Sequence, residues 1–160
     1  MSEPLDAIEL PLALGALHAA CAEMGALLVR AAHSPNIKER RDASSALFDA
    51  RGEMIMQAEH IPVHLGAMPA AVAAVAGREQ LPGGSWILND PFEGGTHLPD
   101  ITVVTPAHLG GRLIGFAATR AHHADVGGRT AGSMPADSVT IEEEGVLIAP
   151  QRFKEALITL

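Results

Sequence analysis

The sequence predicts one α+β domain over residues 1–160: a long N-terminal helix packed on antiparallel β-hairpins, with a loop-rich edge that gathers the polar residues. Three observations predict it. Leu14, Leu17, Cys21, Met24 and Leu28 recur at three- and four-residue steps, the period of a helix with one buried stripe. Two pairs of short apolar runs are each separated by a glycine-containing turn, the pattern of hairpins. Glycines and prolines concentrate after Pro82, so the second half must be rich in turns and loops.

The elements follow in order. The helix is expected from about Leu10 to Ala32, with Pro11 in the first turn, where its missing N–H costs nothing. It stops before Ser34-Pro35, because proline disfavours helix in its predecessor. His18 lies beside the stripe and reads as structural or exposed. Lys38, Arg40 and Arg41 form a small basic cluster, read as a solvated turn. Ser44–Asp49 and Glu53–Ala58 read as the first hairpin, with Gly52 free to take positive φ. The stretch from Glu59 to His64 is broken by Pro62. Met68–Gly77 is an alanine- and valine-rich helix that Gly77 ends. Trp86–Leu88 reads as a short strand that delivers Asn89 and Asp90 to its end. Ile101–Ala107 and Arg112–Ala118 form the second hairpin, with the second strand running on to His122. Val146–Ile148 reads as a last short strand, and Phe153–Leu160 as the start of an element belonging to a longer chain.

Composition narrows the function. Hydrophobic residues make up 48% and aromatics 3%, so the core is expected to be aliphatic. A formal net charge of -8 argues against nucleic acid or an anionic membrane as partner, since both require a basic surface. The single cysteine, Cys21, cannot form an intramolecular disulfide and reads as a small core residue in a reducing, cytoplasmic setting. The first residues have neither a basic nor an apolar leader-like segment, and no unbroken apolar run reaches the ~18 residues of a membrane span.

The chemistry concentrates in two loops. Asn89-Asp-Pro-Phe-Glu-Gly-Gly-Thr-His-Leu-Pro-Asp100 is followed, about one hairpin later, by His122-His123-Ala-Asp125-Val-Gly127-Gly128. Imidazole with carboxylate is a borderline ligand set, suited to Zn, Mn or Fe rather than Ca. His97 and Asp100 lie three apart, and a third ligand from His122 or His123 would complete a set with open positions. Neighbouring side chains on a strand point to opposite faces, so only one of that pair easily joins the site. The spacing alone also fits turn-capping aspartates and histidines bonded to carbonyls. His60 and His64 form a separate HxxxH pair that Pro62 keeps from being a regular helix. No Walker A run, GxSxG elbow or dinucleotide fingerprint is present, so ATP is not expected to bind this chain.

Five segments in order carry a resemblance: SPNIKERRD, AEHIPVHLGAMP, NDPFEGGTHLPDITVV, AHHADVGG, and GSMPADS followed by EEEG. Together they resemble the hydantoinase B family, which includes N-methylhydantoinase B, the acetone carboxylase alpha subunit and a region of 5-oxoprolinase. The resemblance runs from about residue 8 to the C-terminus and covers the N-terminal third or so of a typical member. Ala43, Ser45 and Ala131 stand where the family commonly has Phe, Cys and Pro, departures that remove no candidate ligand.

The resemblance implies a division of labour. A hydantoinase A-like subunit binds ATP and phosphorylates the substrate, and the B-type subunit carries a divalent metal and completes the reaction. That reaction is opening of a cyclic amide, as in hydantoinases and oxoprolinases, or carboxylation of a ketone. Matched residue by residue, the resemblance implies His97, Asp100 and His122 as metal ligands, with Asp42 as a further oxygen. It leaves His123 as the proton-transfer residue and His60 and His64 lining the substrate pocket. A different class of reading is an assembly fragment whose alanine-rich helix is an interface.

Overall fold

The computed structural model describes residues 5–59, 64 and 66–153. Its frame is a six-stranded antiparallel sheet in the order β2-β1-β5-β4-β3-β6. The strands are β1 (Ala43–Asp49), β2 (Met54–Glu59), β3 (Ser85–Leu88), β4 (Asp100–Leu109), β5 (Arg112–His122) and β6 (Gln151–Phe153). Both expected hairpins form, β1–β2 around Gly52 (φ 84°) and β4–β5 around Gly110-Gly111. Helix α1 (Glu9–Ala31) covers one face and α3 (Met68–Ala76) the other, with the single turn α2 (Pro35–Lys38) leading into β1.

The two faces follow from the alternation of side chains along a strand. Ala46 and Phe48 on β1, Phe116 and Ala118 on β5, Val104 on β4 and Trp86 and Leu88 on β3 turn towards α3. They close on Met68, Ala71, Val72 and Val75 as the main core. Phe48 and Phe116 are directly paired across β1 and β5. The expectation of an aliphatic core is thus corrected: two phenylalanines and Trp86 sit at its centre. Few aromatics suffice because each removes far more area from water than an alanine does.

On the opposite face α1 is tied down at one point. The Ser45 hydroxyl donates to the Cys21 carbonyl (2.7 Å), and the Cys21 thiol donates to the Ser45 carbonyl (3.1 Å). A smaller cluster of Ile37, Ala43 and Ala121 packs under Leu28, Val29 and Ala32.

Three expectations need correction. The helical stripe is not a core stripe: Cys21 and Gly25 are the buried residues of α1, while Leu14 is exposed and Leu17, Met24 and Leu28 are only half-buried. Helical period reports that a face exists, not that something covers all of it. By length and composition alone α1 is also apolar enough to cross a membrane, although its C-terminal half packs on the sheet. Lastly, Val146–Ile148 is not a strand. It is held by Asn89, which accepts from the Ile148 amide (2.6 Å) and donates to the Val146 carbonyl (2.9 Å), and the sixth strand follows at Gln151.

Candidate metal centre

The face that carries the core becomes polar at one end of the sheet. Residues two apart share a face, so the row next to the core is Ser44, Arg120 and Thr102, aligned by strand pairing. The following row is Asp42, His122 and Asp100: Asp100 pairs with His122, and the His122 amide donates to the Asp42 carbonyl (3.0 Å). Three strands thus deliver two carboxylates and an imidazole side by side.

The loop between β3 and β4 supplies His97. Gly94 takes φ 97°, and a Cβ there would lie 2.7 Å from the Ala70 carbonyl oxygen. A Cβ at Gly95 would strike the Asn89 carbonyl. Only glycines let this loop fold tightly against α3 and return His97 over the strand ends. Leu98 beneath it is fully buried.

His97 Nδ1 lies 3.1 Å from Asp100 Oδ2, and His122 Nδ1 lies 3.3 Å from Asp100 Oδ1. The two rings are 4.9 Å apart between centroids. His97, Asp100 and His122 each turn a donor atom into one space, all within 4.8 Å of one another. His64 enters the same space. Its Nδ1 is hydrogen-bonded to the Ser44 hydroxyl at 2.9 Å, which aims Nε2 at Asp42 Oδ1 (3.6 Å) and Asp100 Oδ2 (3.7 Å).

This arrangement fits a divalent cation. Bonds of ~2.1 Å in a tetrahedral site put neighbouring ligand atoms ~3.4 Å apart; the histidine–aspartate contacts of 3.1 and 3.3 Å lie near that, and the donor atoms of the triad spread to within 4.8 Å. Asp42 Oδ1, His64 Nε2 and Asp100 Oδ1 are buried and have no hydrogen-bond partner. Native structures rarely leave such atoms unsatisfied, and here they belong to three neighbouring side chains, with His64 Nε2 within 3.7 Å of both carboxylates.

The electrostatics agree. Burial pushes the Asp100 carboxyl up, but the nearby His64 imidazole, the hydrogen bonds with His97 and Thr96, and the His97 charge hold it far below the usual carboxylate range. Thr96 donates to Asp100 Oδ2 at 2.6 Å. The His97 imidazole is raised, first by its hydrogen bond to Asp100, against the opposing effect of burial.

Of the residues singled out in the sequence, Asp42, His97, Asp100 and His122 come together. His123 does not join them. Its amide donates to the Pro99 carbonyl (2.8 Å), and its ring lines a cavity of about 500 Å³ with Asn89, Ile101, Val126, Val146 and Ile148. Burial, followed by the His122 charge, lowers its pKa. His60 lies outside the described residues. His64 is found at the centre rather than lining an outer pocket, and Pro62 gave no local pattern from which to place it. Asp125 builds the neighbouring loop: its carboxylate accepts from the Gly127 and Gly132 amides and the Ser133 hydroxyl.

The sequence profile of Hydantoinase B/oxoprolinase matches residues 6–157. The 5-oxoprolinase of Saccharomyces cerevisiae is 48% identical over 131 residues, covering 79% of this chain and 10% of that protein. The crystal structure of ATP-dependent caprolactamase from Pseudomonas jessenii superposes with a TM-score of 0.81 at 32% identity, over 94% of this chain and 26% of that one. A nucleotide-free acetone carboxylase structure gives 0.77 at 25% identity, over 89% and 20%. The chain therefore spans between a tenth and about a quarter of the length of these relatives. With one profile running through nearly all of it, the chain belongs to the hydantoinase B/oxoprolinase family.

Proposed function

We propose that this chain carries the divalent-metal centre of an ATP-dependent hydrolase that opens cyclic amides of the hydantoin or oxoproline type. In this reading a hydantoinase A-like subunit binds ATP and phosphorylates the substrate, and the two work as a cytoplasmic hetero-oligomer. The observation that carries the proposal is the convergence of Asp42, His64, His97, Asp100 and His122 with three unsatisfied buried atoms. Relatives named 5-oxoprolinase and ATP-dependent caprolactamase support the substrate class.

His97, Asp100 and His122 would hold the ion, with Asp42 and His64 closing the inner side. When bound, an ion of the Zn, Mn or Fe kind would acidify water beside an electrophilic carbon. The chain's own residues do the rest. Thr96, His64 and His97 keep Asp100 ionised and oriented. Ser44 fixes the ring of His64. The Gly94-Gly95 turn holds His97 at the half-exposed rim, where a substrate would enter. His123 opens on the adjacent cavity, placed to take a proton from a group bound there.

The test is elemental analysis followed by turnover. Near-stoichiometric Zn, Mn or Fe that disappears in His97→Ala or His122→Ala is expected. His123→Ala should retain metal and lose rate in the assembled complex, by about 10²- to 10⁴-fold. A chain that stays metal-free on reconstitution would favour the assembly-fragment reading. The fold match to acetone carboxylase favours a second reading, ketone carboxylation at the same donors. Supplying the complex with ATP and either a hydantoin or a ketone plus bicarbonate separates the two: ring opening without bicarbonate excludes the carboxylase.

A further inference from the structure

Directly behind the donor row, Arg120 occupies the centre of the sheet. It is fully buried between Ser44 and Thr102 and lies one row, about 7 Å of strand, from His122. Its Nε donates to the Thr102 hydroxyl (2.7 Å) and its Nη2 to the Gly94 carbonyl (3.3 Å). Its Nη1 is buried with no partner. Among the described residues no carboxylate lies within ion-pair distance of the guanidinium.

A tie between sheet and loop does not require a guanidinium. Neutral donors could tie these two acceptors without placing a full charge in the protein interior, which is costly when no partner neutralises it. The cost is understandable if the charge serves the centre in front of it. Asp42 and Asp100 bring two negative charges and Arg120 one positive charge, while the histidines bind a metal in neutral form. With a divalent ion in place the centre then carries one positive charge in excess.

We infer that Arg120 is a specificity-determining residue: it keeps the metal-loaded centre cationic, so that the open coordination position prefers an anionic ligand, such as a phosphorylated or carboxylate-bearing substrate, over a neutral one. The inference rests on the proposed metal centre. A charge so close, in a medium of low dielectric, acts in opposite directions on cation and anion. It weakens metal binding and strengthens anion binding. A purely structural tie would do neither: its removal would loosen the Gly94 turn and with it His97, weakening both.

The experiment uses the full chain loaded with Co(II), with azide as the anionic probe, read by visible absorption. Co(II) affinity is measured separately against a competing chelator. Wild type should bind one azide per cobalt. Arg120→Gln, which retains hydrogen-bond donors but not the charge, should bind Co(II) at least as tightly and azide about tenfold or more weakly. Arg120→Lys should stay within about threefold of wild type for azide, because it keeps the charge. Weaker Co(II) binding in Arg120→Gln, whether or not azide affinity falls with it, an azide affinity that Arg120→Gln leaves unchanged, or an Arg120→Lys that behaves like Arg120→Gln, overturns the inference. If Arg120→Gln does not fold, loaded wild type that ignores azide overturns it equally. Wild type that takes up no Co(II) brings down the metal proposal itself, a distinct result.

Discussion

Thermal stability should report the proposed centre without any knowledge of the substrate. The perturbation is the addition of Zn, Mn or Fe(II) to metal-free protein. Three buried atoms, Asp42 Oδ1, His64 Nε2 and Asp100 Oδ1, go unpaired without an ion, and each such atom costs about 1–3 kcal/mol. A cation that these side chains hold therefore binds the folded state alone. At a free concentration one hundred times its Kd, the ion adds about 2.7 kcal/mol to stability. Unfolding entropy of about 2.1 cal/mol/K per residue amounts to ~0.34 kcal/mol/K for 160 residues. The expected rise in Tm is thus about 8 °C, easily read by calorimetry or circular dichroism. Asp100→Asn keeps the volume and removes the shared charge, so the shift should vanish, while His123→Ala should retain it. An equal shift in wild type and Asp100→Asn would refute the reasoning, because the ion would then be acting elsewhere. No shift with any of the three metals would refute it as well.

Three further outcomes test other parts of the structure. Gly95→Ala should leave the fold intact but lower metal affinity about tenfold or more, because the new methyl strikes the Asn89 carbonyl and displaces the His97 loop; chelator competition measures it, and unchanged affinity would show that the loop yields freely. Phe116→Ala should cost about 3–5 kcal/mol in urea unfolding, whereas Ile114→Ala, half-exposed on the same strand, should cost far less; equal losses would contradict the core described above. Backbone amides of Gly127 and Gly132 and the Ser133 hydroxyl hold the Asp125 carboxyl below its usual value. The resulting stabilisation is present above the unfolded pKa of about 3.9 and is lost as pH falls through the lower folded value. Proteolysis of the 125–133 loop should therefore rise in that acidic window, and Asp125→Asn should be susceptible already at neutral pH. A pH-independent rate of cleavage would discount the carboxylate as the tie.

Much of the fold was legible because it is local. Both hairpins declared themselves through apolar runs meeting at glycines, and Gly52, Gly110 and Gly111 do take the positive φ those turns require. Helix α3 was readable from Met68 to its end at Gly77, since Met68, Ala71, Val72 and Val75 fall at helical period and are buried. Helix α1 was legible as a helix and misleading as a core element: its apolar residues outnumber the sites on the sheet that can receive them. The Val146–Ile148 segment looked like a strand because its residues prefer extended backbone. Its partners are Asn89, through side chain and backbone amide, and the Val126 carbonyl rather than a neighbouring strand. Propensity reports conformation and is silent about the partner.

The donor loops were visible for the same local reason, as histidine and aspartate amid stiff turns. By itself the sequence determined the types of the main elements, singled out His97, Asp100 and His122 as candidate ligands with help from the resemblance, and showed membership of a family through five ordered motifs. The tertiary structure alone decided that β5 lies between β1 and β4, and therefore that Asp42, His122 and Asp100 form one row. It also decided that His64 belongs with that row, that His123 opens on a separate cavity, and that the buried charge of Arg120 stands behind the centre. The reason is physical: periodicity along a strand tells which side chains share a face, whereas which strands stand side by side is set by contacts between residues far apart in the chain.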